Sequence, residues 1–425
     1  MSARDLAAWL VHAERLHPLG IDLSLERIGA VLARLDLVPP PFPVLTVGGT
    51  NGKGSCVAFL EAMLGAAGRR VGAYASPHLL RYTERVRIAG AEVEPEALAD
   101  AFARVEAARG DIALTYFEFG TAAALVAFRT AGIEVAVLEV GLGGRLDAVN
   151  ALEPRASIIT GVALDHQDLL GHDREAIAFE KAGIFRAARP AVCGDADPPA
   201  SLVERARALG APLTVIGREA RFAVHREAWD LVTPRAEHRA LPLPGLSGAF
   251  QFRNASCAIA ALDALSDELP VPEPAIGDGL RRARNPGRCE RLAIDGGRLE
   301  LLLDVAHNPD AAAALARELA SSRCAGRTLA VFGVLADKDA TGIARALSGA
   351  VDQWFAAGLE GPRGRSGAAL AAALDGAGVA PVAACHDVAA ALVAARSASR
   401  AGDRIVVCGS FLTVGAAMAT GLYSR

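Results

Sequence analysis

A chain of 425 residues exceeds what one ordinary hydrophobic core supports, and 52% hydrophobic with 22% charged residues describes a folded protein, so two domains are expected. A net charge of -4 offers no footprint for nucleic acid, no apolar run is long enough to span a membrane, and the charged start at Arg4 and Asp5 does not read as a signal peptide. The seven cysteines are scattered, odd in number and never spaced C-x-x-C, which argues against structural zinc or a disulfide framework and favours a reducing cytoplasm.

Helical periodicity opens the chain over about Ala3–Leu16 and Leu25–Leu35, joined by His17-Pro18-Leu19-Gly20-Ile21-Asp22. Val44–Val47 then reads as a buried strand running into Gly48-Gly49-Thr50-Asn51-Gly52-Lys53-Gly54-Ser55, and Val57, Leu60 and Leu64 recur at helical spacing through Cys56–Ala66. A glycine-rich loop between strand and helix lets backbone N–H groups and a helix N-terminus converge on phosphate. Lys53 adds a full positive charge, and Ser55 a hydroxyl for phosphate or Mg²⁺. The usual form of this loop has Ser or Thr directly after Lys; here Gly54 intervenes, and only three and two residues separate Gly48 and Gly49 from Gly52. A flexible turn is the plain alternative, but the order of strand, glycines, Lys-Gly-Ser and apolar helix favours nucleotide phosphate binding.

Further on, a strand is expected at Val71–Ala75, then the turn Ser76-Pro77-His78 and a helix over Pro95–Arg109. Leu114–Gly120 leads into a helix from Thr121 to Thr130, and a strand at Val135–Val140 ends in Gly141-Leu142-Gly143-Gly144-Arg145. Another strand, Ser157–Thr160, closes on Asp165-His166. This alternation predicts a mostly parallel sheet covered on both faces. Phe222–Val232 reads as a small antiparallel addition, Pro242–Pro244 as a loop and Asn254–Leu265 as a helix. Arg284-Asn285-Pro286-Gly287-Arg288 breaks the pattern as a linker. Beyond it, strands near Leu299–Leu303, Leu329–Phe332, Gln353–Ala356 and Ile405–Val407 alternate with alanine-rich helices as a second α/β domain. The boundary is drawn between residues 287 and 288.

Sites in open α/β sheets lie at the carboxyl ends of strands. Ser76, Glu139 and His166 all fall there, on the edge that holds the phosphate loop, and a hydroxyl, a carboxylate and an imidazole beside phosphate suit a divalent cation. Taken singly, each has an ordinary reading as a turn cap, an ion-pair partner or a structural histidine. Gly141–Arg145 lacks the third glycine of a dinucleotide fingerprint and reads as a tight turn against a ligand. Lys181 stands alone in an apolar helix end; it is a surface lysine by default, and if buried it needs a partner or a modification. Asp304-Val305-Ala306-His307 repeats the strand-end pattern in the second domain, which points to a site between the two domains.

Taken in order, Gly49-Thr50-Asn51-Gly52-Lys53-Gly54-Ser55, Ser76-Pro77-His78-Leu79, Leu138–Ala148, Asp165-His166, Glu180-Lys181-Ala182-Gly183-Ile184 and Asp304–Pro309 resemble the folylpolyglutamate synthases, relatives of the Mur peptide ligases, over essentially the whole chain. Lys-Gly-Ser is that family's own form of the loop. Asp22–Arg27 and Leu114–Glu118 resemble the bacterial group that is both dihydrofolate synthase and folylpolyglutamate synthase. The resemblance implies a P-loop NTPase-like N-terminal domain, a smaller Rossmann-like C-terminal domain, and ATP-dependent addition of L-glutamate to dihydropteroate and to reduced folates. It implies Thr50, Asn51, Gly52, Lys53, Gly54 and Ser55 on ATP, with Asn254, Arg288 and Asp304, and Mg²⁺, two ions in all, held by Ser76, Glu139 and His166. Dihydropteroate is expected at Asp22, Leu23, Ser24, Leu25, Thr115, Tyr116, Phe117, Glu118, Leu146, Asp147 and Ala148. Lys53, Lys181 and His307 are the expected catalytic groups, Lys181 as a carbamate, and His307 and Ser410 are assigned to glutamate. Phe252-Arg253-Asn254 lacks the proline expected before the asparagine. A cytoplasmic monomer that binds neither nucleic acid nor membrane completes the expectation.

The chemistry is coherent with these residue types. A carboxylate condenses with an amine only after its oxygen becomes a leaving group, and transfer of a phosphoryl group from ATP makes an acyl phosphate. That transfer needs mainly positioning and charge neutralisation, and closure of two domains would keep water from the acyl phosphate. A folylpolyglutamate synthase without the dihydropteroate step is the enzyme alternative. A nucleotide-gated switch leaves Asp304–His307 without a role, and a small-molecule kinase leaves Glu180-Lys181 without one.

Overall fold

The computed structural model of the chain describes residues 4–379 and 382–421; the expected helix start at Ala3 and the last residues of the expected second domain lie outside these. The chain forms two compact units, one running to Gly245 and resuming over Gln251–Arg284, the other made of Leu246–Phe250 and the chain from Asn285.

The first unit begins with α1 (Leu6–Leu16) and α2 (Glu26–Arg34), then β1 (Val44–Gly48), α3 (Lys53–Ala66) and β2 (Val71–Tyr74). A hairpin of β3 (Val86–Ile88) and β4 (Ala91–Glu92) precedes α4 (Pro95–Arg109), α5 (Tyr116–Ala131), β5 (Val135–Glu139) and β6 (Ala156–Ile159). The short α6 (Gln167–Leu170) and α7 (Arg174–Ala182) lead to β7 (Ala191–Cys193), α8 (Ala200–Ala208) and β8 (Leu213–Val215). These strands make one eight-stranded sheet ordered β4-β3-β2-β5-β1-β6-β7-β8, parallel from β2 to β8, with β3 and β4 antiparallel at one edge. The central strands β1, β5 and β6 are buried at every residue, as helices on both faces of a parallel sheet require. From β1 the chain turns to opposite sides of the sheet, so the crevice beyond its carboxyl end is a topological switch point.

The three-stranded antiparallel addition is β9 (Arg221–Val224), β10 (Ala228–Val232) and β11 (Glu237–Pro242). After it, α9 (Gln251–Ala264) and α10 (Glu273–Arg282) pack on α3. A Cβ on Gly279 would stand 2.5 Å from Met63 Cα, so its glycine lets α10 lie against the α3 backbone.

The second unit carries a six-stranded sheet ordered β12-β13-β17-β14-β15-β16: β12 (Glu290–Ile294), β13 (Leu299–Leu303), β14 (Thr328–Phe332), β15 (Gln353–Ala357), β16 (Val382–Cys385) and β17 (Arg404–Cys408). All neighbours are parallel except β12, which pairs antiparallel with β13. The helices between them are α11 (Pro309–Ser321), α12 (Ala340–Leu347), α13 (Gly367–Gly376), α14 (Val388–Ala398) and α15 (Phe411–Ala419).

Several expected boundaries shift, among them the start of α9, at Gln251 rather than Asn254. Helix α5 starts at Tyr116 rather than Thr121, because Thr115 and Glu118 form a reciprocal capping box that nucleates the helix inside the aromatic run. Helix α3 starts at Lys53 rather than Cys56, so Lys53, Gly54 and Ser55 are its first turn.

Candidate active site

The phosphate loop is shaped by contacts that only glycine allows. Gly49 has φ +136° and Gly52 φ +90°; a Cβ on Gly49 would fall onto the Thr160 hydroxyl, and one on Gly52 would stand 2.5 Å from Asn254 Oδ1. Thr160, at the end of β6, donates from its hydroxyl to Asn51 O at 2.7 Å, and Thr50 N donates to Gly161 O at 2.9 Å. The loop is thus tied to the neighbouring strand end while the first turn of α3 points its amides into the crevice.

Beside the loop, Lys53 Nζ donates to Gly49 O at 3.2 Å and Thr50 O at 3.3 Å. Lys181 Nζ donates to the same Gly49 carbonyl at 3.0 Å. Two ammonium groups on one carbonyl make a concentrated positive field. Lys181 is only 4% exposed, and burial, reinforced by Lys53, draws its pKa down to about 7. It is therefore a buried, readily neutralised amine and not a surface lysine. The turn after β5 holds it: Arg145 N donates to Glu180 O at 2.8 Å, Arg145 Nη2 pairs with Glu180 Oε1 at 2.9 Å, and Gly144 leaves room for the Lys181 carbonyl.

Ser76 and Glu139 meet at the ends of β2 and β5, where Ser76 N donates to Glu139 Oε2 at 3.3 Å. His166, at φ +52° before α6, follows β6, with its amide on Asp165 Oδ1 at 2.9 Å. Among the described residues no three His, Cys, Asp or Glu side chains cluster closely enough to hold a metal ion. A hydroxyl, one carboxylate and one imidazole nevertheless fit an Mg²⁺ ion whose other ligands are water and phosphate oxygens, since Mg²⁺ keeps much of its hydration. His78, in the same turn, accepts from Arg85 Nε at 2.9 Å; burial, then Arg85, lowers its pKa to about 4, so it is neutral at physiological pH.

The segments expected to hold dihydropteroate converge. Leu23, Ser24 and Leu25 approach α2, where Ser24 Oγ accepts from Glu26 N at 3.2 Å. On α2, Arg27 Nη1 donates to Asp22 Oδ2 at 2.8 Å and Nη2 to Asp22 O at 2.7 Å, while its Nε stands 3.3 Å from each carboxylate oxygen of Glu118. Glu118 in turn accepts from Thr115 N at 2.7 Å. Tyr116 is half-buried and lies under Arg85, whose guanidinium carbon is 5.7 Å from its ring centroid. The Phe117 ring packs on Gly141, where a Cβ would come within 2.5 Å of it. Leu146 and Ala148 flank Asp147, which starts a 3₁₀ turn packed on α2 and α5. Asp147 accepts from Leu142 N at 2.8 Å and Val149 N at 3.1 Å, yet burial outweighs these bonds and pushes its pKa up to about 7.

Asn254 lies on α9, as does Gln251, which no sequence motif marks. That side chain is fully buried; it accepts from Asn254 Nδ2 at 2.9 Å and donates to Ser55 Oγ at 3.3 Å, linking α9 to the loop. The signal was present as i, i+3 spacing on one helix face, without a motif to mark it.

In the second unit, Asp304 directly follows β13. Its carboxylate accepts from Cys289 N at 2.9 Å and Ala306 N at 2.8 Å, and burial raises its pKa, opposed by Arg288. Arg288 lies over Phe411, 4.7 Å from the ring centroid, and His307 tilts against the same ring at 5.9 Å. His307 Nδ1 donates to Val305 O at 2.9 Å, which fixes the orientation of the ring. Ser410 caps α15: its hydroxyl accepts from Thr413 N at 3.0 Å and is 2.7 Å from Thr413 Oγ1. Arg288, His307 and Asp304 thus gather at the strand ends around Phe411, while Ser410 has a capping task of its own.

A glycine loop with Lys53 in its helix turn, a buried lysine on the same carbonyl and a carboxylate at the adjoining strand end suit the nucleotide-using half of an ATP-dependent ligase. The chain matches the family profile described as the Mur ligase middle domain over residues 47–262, and that of the Mur ligase glutamate ligase domain over 287–411. It is 45% identical over 413 residues to the dihydrofolate synthase/folylpolyglutamate synthase of Escherichia coli strain K12, covering 97% of this chain and 94% of that one. The solved structure of E. coli FolC in complex with DHPP and ADP superposes with a TM-score of 0.92 at 44% identity, covering 98% of each chain. A bifunctional folylpolyglutamate synthase/dihydrofolate synthase with Mn, AMPPNP and L-glutamate bound gives 0.90 at 45% identity, again over 98% of each chain. The chain belongs to the dihydrofolate synthase/folylpolyglutamate synthase family of Mur ligases.

Proposed function

We propose that the protein joins L-glutamate to 7,8-dihydropteroate, forming dihydrofolate, and to reduced folates, forming folylpolyglutamates, with ATP cleaved to ADP and phosphate. The observation that carries the dihydropteroate step is the convergence of Asp22, Thr115–Glu118 and Asp147 on one sheet edge beside the phosphate loop. The relatives solved with DHPP and ADP, and with AMPPNP, Mn and L-glutamate, support the same assignment.

In this reading the amides of Thr50–Ser55 and the ammonium of Lys53 hold the β- and γ-phosphates. An oxygen of the acceptor carboxylate attacks the γ-phosphorus, the bond to the β-phosphate oxygen breaks, and ADP departs. The glutamate α-amine then attacks the acyl carbon, loses a proton, and inorganic phosphate leaves. Lys53 neutralises charge that spreads over the transferring oxygens. Ser76, Glu139 and His166 would hold Mg²⁺, two ions in all with phosphate oxygens, which supplies further charge neutralisation. Lys181, buried and poised near neutrality, is suited to carboxylation, which would turn a cation beside the loop into an anion facing metal. Asn254, Arg288 and Asp304 are assigned to ATP, and His307, with Ser410 as helix cap, to glutamate. The enzyme is proposed to work as a monomer in the cytoplasm, without nucleic acid or membrane; no helix among the described residues is long and apolar enough to cross a bilayer.

The test is ADP release by the purified protein with Mg²⁺ and L-glutamate, comparing dihydropteroate with tetrahydrofolate as acceptor. Release with both is expected. Release with tetrahydrofolate alone would leave a folylpolyglutamate synthase only, and release with neither would refute the ligase reading.

A further inference from the structure

We infer that Arg27 is a positioning residue for the dihydropteroate acceptor, acting as a clamp that fixes the loop before α2 against the first turn of α5. The inference rests on the acceptor reading above. Asp22 and Glu118 lie far apart in sequence, and one guanidinium joins them. Arg27 uses Nη1 and Nη2 on Asp22, at 2.8 and 2.7 Å, and Nε on Glu118, at 3.3 Å from both oxygens. The planar fork is what allows three directed bonds at once, to the Asp22 carboxylate, the Asp22 carbonyl and the Glu118 carboxylate; a lysine ammonium is a point charge and cannot reproduce it.

The clamp is not needed to hold the helices together. Ile28, Val31 and Leu32 of α2 are fully buried and belong to the same apolar core as Phe119 and Ala122 of α5. Arg27 acts at the rim of that core, where its side chain is 22% exposed and that of Glu118 5%. Its contacts fix backbone and carboxylate of a segment that is otherwise a loop: His17 Nε2 is 3.4 Å from the same Asp22 Oδ2, leaving Oδ1 outside the clamp. A pterin presents N–H and NH₂ donors along its pyrimidinone edge, and a carboxylate held in one orientation accepts them without first being ordered. Glu118 accepts from Arg27 Nε and from Thr115 N through the same Oε2, and so anchors the clamp.

Steady-state kinetics on Arg27→Met, Arg27→Lys and Glu118→Gln test this. Glutamine keeps an oxygen for Thr115 N and so preserves the helix cap while removing the charge that Arg27 grips. Arg27→Met is expected to raise KM for dihydropteroate about tenfold or more, the range of a charge-assisted hydrogen bond, with kcat and KM for ATP within about twofold. Glu118→Gln should move the same parameter in the same direction, Arg27→Lys less than Arg27→Met, and the double variant should fall short of the sum of the singles. An unchanged KM for dihydropteroate in Arg27→Met overturns the inference, and so does an equal loss for ATP accompanied by a lowered denaturation midpoint, which would mark a merely structural arginine. Titration of dihydropteroate fluorescence separates the two readings: no binding by the wild type overturns the acceptor reading and the clamp together, while equal binding by wild type and Arg27→Met overturns the clamp alone.

Discussion

At the scale of single residues, two lysines share one carbonyl but have opposite tasks. Lys53 sits in the first turn of α3, where its charge adds to the helix N-terminus, and its loss removes charge neutralisation with no core atom disturbed. Lys53→Ala is expected to lower kcat/KM by about 10²–10³-fold with an unchanged denaturation midpoint, measured by ADP release and urea unfolding. Lys181 is the buried partner. Its folded pKa of about 7 lies below the ordinary lysine value of 10.5, so between those values the unfolded chain binds a proton that the folded chain does not, and stability rises with pH through that window. Lys181→Met should flatten that rise, measured by urea midpoints between pH 7 and 10. A carbamate forms from the neutral amine, so ¹³C-bicarbonate should give a carbamate NMR signal on the wild type that strengthens as pH rises through about 7 and is missing from Lys181→Met. A wild type with no such signal at any pH would remove carboxylation from the mechanism and leave Lys181 as a buried amine.

Among the elements, α5 shows how a helix terminus becomes part of a site. Thr115 Oγ1 accepts from Glu118 N at 3.2 Å while Glu118 returns to Thr115 N, so cap and anchor are one arrangement. Thr115→Ala should cost about 1 kcal/mol of stability, read from chemical denaturation, and raise KM for dihydropteroate more than KM for ATP. The same element shows where sequence reading stopped. Tyr116-Phe117-Glu118-Phe119-Gly120 looks like a strand-prone run ending in a breaker, yet the T-x-x-E capping box was legible in it. Residue 120 is a glycine inside the helix and not a breaker: a Cβ there would collide with the Tyr82 hydroxyl, a contact that no local pattern reveals. Likewise the central strands, apolar throughout, were readable, whereas β12, with the polar start Glu290-Arg291, was not, since an antiparallel edge strand needs only its pairing with β13. Gln251 and the Arg27 clamp belong to the same class: polar groups whose partners are distant in sequence, so that their meaning appears only once the fold has brought the partners near.

For the molecule as a whole, the alternation of strands and helices was enough to read an α/β chain with two sheets, because period and punctuation are local properties. What joins to what was not: Leu246–Phe250 belongs with the second unit although Gln251 onward returns to the first, and the break falls within a short stretch of loop and helix start. Each unit has its own apolar cluster, one centred on residues such as Leu138, Phe119 and Ile177, the other on Phe332, Leu302 and Trp354. Unfolding of such a chain need not be two-state, and a ligand is expected to act first on the unit that holds it. With AMPPNP and Mg²⁺ at about 100 times the dissociation constant, mass action stabilises the nucleotide-binding state by about 2.7 kcal/mol. Differential scanning calorimetry should therefore show the transition of the first unit moving up with AMPPNP and Mg²⁺, and not moving in Lys53→Ala at the same concentrations. A shift of equal size in Lys53→Ala would mean that the nucleotide is held without the loop lysine, and the phosphate assignment of residues 50–55 would have to be given up. If Ser76, Glu139 and His166 hold Mg²⁺ as proposed, omitting the ion should shrink the wild-type shift, because the ion would join these side chains to the phosphate oxygens.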